Sequence, residues 1–291
     1  MASLLDMRRR IKSVKNTQQI TKAMKMVAAA KLKRAQDRVT ASRPFAGKMS
    51  EVLHNLSSTV AGEFSHPLLD ERGDNKYLVV LISADKGLAG AFNANVIKAA
   101  QAFLNENQGK VSEMIPVGRK GRDFFKRRNV QFTEEYIGLT GSGQVSHADA
   151  LTIARKIIDT FTEDTTIDKV FVVFTEFKTV LSQKPVIQQL LPITQTGDGI
   201  EAQAGPQAEY IYEQPADEIF KRLLPKQVEA QIYRGMLESV ASEQGSRMTA
   251  MDSASKNAGE LIDTLTLNMN RIRQAAITKE IIEVVSGAAA A

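Results

Sequence analysis

Cysteine is absent from all 291 residues. That excludes a disulfide framework, a thiolate nucleophile and any cysteine-based metal site. No apolar run approaches the ~20 residues that a membrane-spanning helix needs. The basic N-terminus lacks the apolar segment of a secretory signal. It continues as helix without the serine richness of a transit peptide, so a cytoplasmic home is the default expectation. The three histidines, His54, His66 and His147, are scattered without ligand spacing and read as surface or loop residues. Phosphate loops are also missing. Asp85-Lys-Gly-Leu-Ala-Gly90 is neither GxGxxG nor GxxxxGK[ST], and Gly47-Lys48 and Gly109-Lys110 lack the upstream glycine and a following Ser or Thr. No Ser/His/Asp, HExxH or paired-carboxylate constellation stands out. Neither catalysis nor a cofactor is expected of this chain.

Proline is missing where helices would be longest. Between Lys226 and Gly287 there is none, and at 1.5 Å per residue that stretch would be roughly 90 Å as one helix. Within it, Met251, Ser255, Ala258, Ile262, Leu265, Met269, Ile272 and Ala276 alternate steps of four and three, the spacing of a coiled-coil seam. From Met1 to Arg43 there is neither proline nor glycine, and Ala, Lys, Arg, Met, Gln and Leu dominate. Met7, Ile11, Val14, Thr21, Ala28, Leu32, Ala35 and Val39 fit the same spacing if Gln18 and Lys25 occupy the seam. A second stripe, Ile20, Met24 and Val27, is displaced by one position. The expected arrangement is an antiparallel coiled coil of the two terminal helices, with everything between them inserted. Two separate core helices of a bundle are the plainer alternative, which these lengths disfavour.

Charge is uneven. Residues 1–48 carry thirteen Lys or Arg against Asp6 and Asp37, while the whole chain is only +5, so the remainder is mildly acidic. Arg8, Arg10, Lys15, Lys22 and Lys25 belong to a basic collar that surrounds most of the helix, which points to an acidic partner. Nucleic acid fits poorly, because no aromatics interleave the cations and no recognition motif is present.

The middle alternates strands and helices. Strand signals lie at 76–83, 114–117, 169–176 and 186–193, with a short strand at 209–213; helical stretches lie at 93–105, 119–128 and 145–161. This predicts a parallel, Rossmann-like α/β domain. The expected organisation is an N-terminal coiled-coil helix over 1–56, a linker over 57–75, the α/β domain over 76–213, a C-terminal coiled-coil helix over 214–287 and an apolar tail over 288–291.

Several blocks resemble one family. Residues 8–36 (Arg-Arg-Arg-Ile-Lys-Ser-Val-Lys-Asn-Thr-Gln-Gln-Ile-Thr-Lys-Ala-Met-Lys-Met-Val-Ala-Ala-Ala-Lys-Leu-Lys-Arg-Ala-Gln) resemble the opening of the gamma subunits of F-type ATP synthases. The C-terminal run Ile277-Thr-Lys-Glu-Ile-Ile-Glu-Val-Val-Ser-Gly-Ala-Ala-Ala290 matches that family's closing signature, and Ala241–Met251 and Asn270–Thr278 are similar to its other C-terminal blocks. Asp85–Gly90 resembles the family's Asp-Arg-Gly-Leu-Cys-Gly turn, with Lys86 and Ala89 as departures.

The resemblance implies a central rotor shaft without chemistry of its own, inside an alpha3beta3 hexamer and standing on a membrane c-ring. It implies single-copy membership of a complex on the cytoplasmic face of the bacterial inner membrane, with an epsilon subunit as a further partner. By the same resemblance Met24, Arg247, Arg273, Gln274 and Thr278 are beta-subunit contact and coupling positions. Tyr210, Tyr212 and Glu213 match the foot against the c-ring and epsilon. Two rival readings remain: a nucleic-acid-binding coiled-coil protein, and a nucleotide-binding enzyme on the α/β domain. If Met24 lies near Arg247, paired positions sum to roughly 270 under equal helical rise. Residues beyond about 268 would then stand unpaired, with an apolar tip in need of a cover.

Overall fold

The computed structural model describes residues 4–59, 66–141, 143–193 and 216–289. The elements run α1 (Leu4–Thr59), β1 (Tyr77–Ile82), α2 (Phe92–Glu106), β2 (Val111–Val117), α3 (Arg119–Lys126), α4 (His147–Glu163), β3 (Lys169–Phe177), β4 (Gln183–Leu191) and α5 (Ala216–Ala289). They fall into two compact units, one of residues 1–28 with 247–291 and one of residues 29–246.

The larger unit is built on a four-stranded sheet of order β2-β1-β3-β4. β1 is the central strand, all six residues Tyr-Leu-Val-Val-Leu-Ile are buried, and it pairs in parallel with β2 and β3. A continuous apolar run fits a strand covered on both faces. Val79 and Leu81 pack with Val96, Ile97 and Ala100 of α2, Phe125 of α3, Met114 and Val173. By the pleat, Leu78, Val80 and Ile82 face the other side, where a Cβ on Gly235 of α5 would lie 3.2 Å from Ile82 Cδ1. α4 lies beside α5, the rings of His147 and Tyr233 meeting edge to face at 5.2 Å.

The sheet is not wholly parallel. β4 runs antiparallel to β3, with Phe177 opposite Gln183. Only residues 178–182 join the two strands, and a parallel neighbour needs a crossover of a dozen residues or more. The short connection was therefore decisive, and it corrects the expectation of a parallel domain at this edge. The strand expected at 209–213 lies outside the described residues.

Both terminal helices pass through proline. Pro44 sits inside α1 and Pro225 inside α5. Pro44 and Thr40 are both exposed, so the Thr40 carbonyl freed by the missing N–H can bond to water instead.

The smaller unit consists of the α1 stretch up to Ala28 and the α5 stretch from Arg247. Along α1, Met7, Ile11, Val14, Gln18, Thr21 and Ala28 are buried or half-buried; along α5 the same holds for Met251, Ser255, Ala258, Ile262, Leu265, Met269, Ile272 and Ala276. These are the seam positions that the heptad spacing picks out. Polar residues fix the register. Gln18 Nε2 donates to the Ser255 carbonyl at 3.2 Å, and Lys25 Nζ bonds Asp252 Oδ1 at 2.6 Å. A Cβ on Gly259 would lie 3.1 Å from Gln18 Nε2. Paired positions thus sum to about 275 rather than 270, which sets Met24 level with Met251, one helical turn from Arg247.

Candidate functional site

Two places could carry function: the carboxyl ends of the sheet strands, where open α/β folds bind ligands, and the paired helices.

The first is filled by the chain itself. β1 ends in Ser83-Ala84-Asp85, and the buried Asp85 carboxylate gathers four donors. Oδ1 accepts from the backbone N–H of Arg119 at 3.1 Å and of Gly138 at 2.9 Å. Oδ2 accepts from the Thr140 N–H at 3.1 Å and the Thr140 hydroxyl at 2.9 Å. Arg119 is the first residue of α3, so an internal anion occupies the helix N-terminus where a phosphate would otherwise sit. Burial pushes the Asp85 carboxyl upward, but the donors from Gly138, Thr140 and Arg119 together outweigh it and hold the group below its ordinary value. Close approach of α3 depends on glycine. Gly118 has φ +102°, and a Cβ there would fall 2.2 Å from the Ser83 carbonyl oxygen; one on Gly121 would fall 2.8 Å from Ser83 Oγ. The amides of Arg119, Gly138 and Thr140 are thus committed to the chain's own carboxylate. Among the described residues no group of three or more His, Cys, Asp or Glu gathers as for a metal.

The paired helices bring the sequence-derived positions together unevenly. Arg8, Arg10, Lys15 and Lys22 are exposed on α1. Lys25 is half-buried and committed to Asp252, which also pairs with Lys256 at 3.1 Å. The Lys25 ammonium, and then that of Lys256, hold the Asp252 carboxyl below its ordinary value. Met24 is half-buried beside the seam, as is Arg247. Arg273, Gln274 and Thr278 are exposed, the Thr278 hydroxyl donating back to the Gln274 carbonyl at 3.0 Å. Tyr210, Tyr212 and Glu213 lie outside the described residues.

Burial of α5 stops at Ala276, and residues 277–288 are all exposed. This stretch of roughly 18 Å is not polar: Ile277 is 49% exposed and Val284 72%. Ile277, Ile281, Val284 and Val285 follow the four-three-one spacing of one helix face. At 100° per residue this stripe lies opposite the face used by Leu265, Met269, Ile272 and Ala276. Arg273, Gln274 and Thr278 fall on the stripe's side. The continuation of the seam face instead carries Lys279, Glu280 and Glu283, with Lys279 and Glu283 3.5 Å apart. The stripe is therefore not an extension of the seam waiting for more of α1. It is a separate apolar surface flanked by polar groups, the composition of a protein-binding face.

Sequence reasoning missed the acceptor of Lys25 and a buried polar set on α5: Glu238, Ser239, Ser242, Glu243 and Gln244. The run Glu238-Ser-Val-Ala-Ser-Glu-Gln244 gave no signal of its own in a helix that is polar at many positions; no periodicity rule assigns such residues to a core.

A family profile described as ATP synthase matches residues 3–291. The ATP synthase gamma chain of Solibacter usitatus is 53% identical over 294 residues, covering 100% of this chain and 100% of its own length. That of Desulforamulus reducens is 52% identical over 291 residues, covering 100% of this chain and 99% of the relative. Among solved structures, a chain of the Tetrahymena thermophila mitochondrial ATP synthase central stalk and c-ring aligns with TM-score 0.61 and 25% identity, over 81% of this chain and 99% of that one. A chain of the Euglena gracilis mitochondrial ATP synthase rotor, in rotational state 1, shares the fold with TM-score 0.65 and 19% identity, over 94% of this chain and 98% of that one. Gamma chains are non-catalytic subunits of the complex. With the profile running nearly end to end and half its residues shared with bacterial relatives, this chain belongs to the ATP synthase gamma-chain family.

Proposed function

We propose that this chain is the central rotor shaft of an F-type ATP synthase, coupling proton-driven rotation of a c-ring to sequential conformational change in three catalytic beta subunits. The observation that carries the reading is the end of α5, an exposed apolar stripe turned away from the seam and bordered by Arg273, Gln274 and Thr278. A lone helix with that surface needs a surrounding partner, and an alpha3beta3 hexamer offers a central opening for it. The exposed cations Arg8, Arg10, Lys15 and Lys22 give the lower helix an electrostatic surface. Exposed ion pairs are worth only about 0–1 kcal/mol each, which suits a rotor that must leave every contact it makes. Lys25, held by Asp252, contributes less to that surface than its neighbours. Met24, Arg247, Arg273, Gln274 and Thr278 are the coupling positions in this reading.

Rotation couples to chemistry only if shaft orientation has different interaction energy with the open and closed beta states. An asymmetric helix end, apolar on one side and charged on the other, supplies such a difference. The chain works within the membrane-associated complex. We place it peripherally on the cytoplasmic face, in one copy, with its foot against the c-ring and epsilon; no helix among the described residues is long and apolar enough to cross a membrane. The test is reconstitution. Mixed with purified alpha and beta subunits, the chain should assemble into one stoichiometric complex whose rotation is visible by a probe on the chain. A chain that stays monomeric in that mixture sinks the proposal.

A further inference from the structure

β3 is longer than its neighbour β1. Their pairing ends at Leu81 opposite Val173, while β3 continues to Phe177. On the side of Thr175 and Phe177 that β1 leaves open, side chains of α5 take the place of a strand. The Thr175 N–H donates to Ser239 Oγ at 3.3 Å, and the Thr175 carbonyl accepts from the Ser242 hydroxyl at 3.1 Å. The Phe177 N–H donates to Glu238 Oε2 at 2.8 Å. Arg234 Nε lies 3.8 Å from the other Glu238 oxygen. One turn on, the Ser246 hydroxyl donates to Gln183 Oε1 of β4 at 2.9 Å. At Gly245 a Cβ would be in ordinary contact, 3.4 Å from Gln183 Nε2.

Glu238 is 0% exposed, and burying a carboxylate is costly unless its bonds are made. A helix that merely covers a sheet would present apolar residues. Apolar packing is non-directional and lets a helix slide or turn about its axis, whereas hydrogen bonds to a strand backbone fix both its height and its rotation. α5 continues without interruption from this point to Ala289. We infer that Glu238, Ser239, Ser242 and Ser246 are the torsional anchor of the shaft, positioning residues through which a twisting moment passes between the sheet unit and α5. The inference rests on the rotor reading above and deepens it.

The experiment uses the assembled complex, fixed by its catalytic head, with a probe on Lys126→Cys, an exposed site on α3 in a chain that has no cysteine of its own. The angular spread of the probe is recorded during catalytic pauses. The combined Glu238→Met, Ser239→Ala and Ser242→Ala variant should widen that variance by about twofold or more, because the bonds to Thr175 and Phe177 are gone and packing there is non-directional, leaving only the Ser246 bond to Gln183. Pauses per turn stay unchanged. Ser239→Ala and Ser242→Ala singly should each widen it less, which keeps the test decisive if the triple variant does not assemble. Ser239→Thr should restore the native spread. Ile157→Val in α4, a purely packing change, should leave it alone. Native spread in the assembled Ser239→Ala and Ser242→Ala complexes overturns the anchor. A native chain that does not rotate would instead overturn the rotor reading.

Discussion

Replacing Asp85 by alanine strips the acceptor from three backbone N–H groups, those of Arg119, Gly138 and Thr140, and from the Thr140 hydroxyl. A buried donor left without a partner costs about 1–3 kcal/mol. Three of them sum to roughly 3–9 kcal/mol, and water entering the space left by the carboxylate recovers part of that. A net loss near 3 kcal/mol is expected, on the order of a hundredfold in the folding equilibrium. Urea denaturation of the full chain, followed by near-UV circular dichroism, reads it; with no tryptophan present, the signal comes chiefly from tyrosines, Tyr77 and Tyr136 among them. The pH dependence has a definite sign. The folded carboxyl is held below its ordinary value, so its stabilisation is fully present above the unfolded pKa of about 4 and is lost as pH falls through the folded value. The gap between native and Asp85→Ala should therefore be widest near neutrality and shrink in acid. Formate, which carries the missing carboxylate, should restore stability to the variant and do nothing for the native chain. A loss below about 1 kcal/mol, within the range of an ordinary surface substitution or little above it, would refute the claim that this carboxylate holds the strand ends together. So would a formate response no larger than that to chloride.

Glycine positions give a contrasting pair. Gly118→Ala puts a Cβ 2.2 Å from the Ser83 carbonyl oxygen at a φ of +102°, and thermal melting should show a loss of more than about 3 kcal/mol. Gly47→Ala lies inside α1, where an added Cβ meets nothing within 4 Å, and should gain about 0.5–1 kcal/mol in the same assay. Arg273→Ala and Gln274→Ala, both at exposed positions, should leave the stability of the isolated chain within about 0.5 kcal/mol while lowering proton pumping per ATP in the assembled complex. A matched loss of stability would make them structural residues instead.

The two long helices were legible because their signal is local and repeated. Each seam residue from Met251 to Ala276 is predicted by its neighbours three and four away, and burial follows that spacing. The parallel core of the sheet was legible from the run Tyr77–Ile82, which no half-exposed strand would tolerate. β4 was found as a strand but not in its direction, because direction is fixed by the length of the connection rather than by composition. The register of the pair came out about five residues from expectation. Heptad spacing defines a face but not a height, and the height is set by Gln18 at Ser255 and Lys25 at Asp252.

Asp85 marks the sharper limit. Its place after a strand and before glycines reads as a ligand-binding turn, and local sequence cannot distinguish a turn that awaits an anion from one that contains it. The donors that settle the matter come from residues 34 to 55 positions away. The same holds for Glu238, a charged helix residue that any composition rule would send to the surface. Sequence alone determined which faces of the long helices are apolar, where strands and helices alternate, and the family to which the blocks belong, since all of these depend on residues close in the chain. Only the tertiary structure decided what fills the strand ends, what anchors α5 to β3, and that the stripe beyond Ala276 turns away from the seam, because those depend on hydrogen bonds and packing between residues that the chain order keeps far apart.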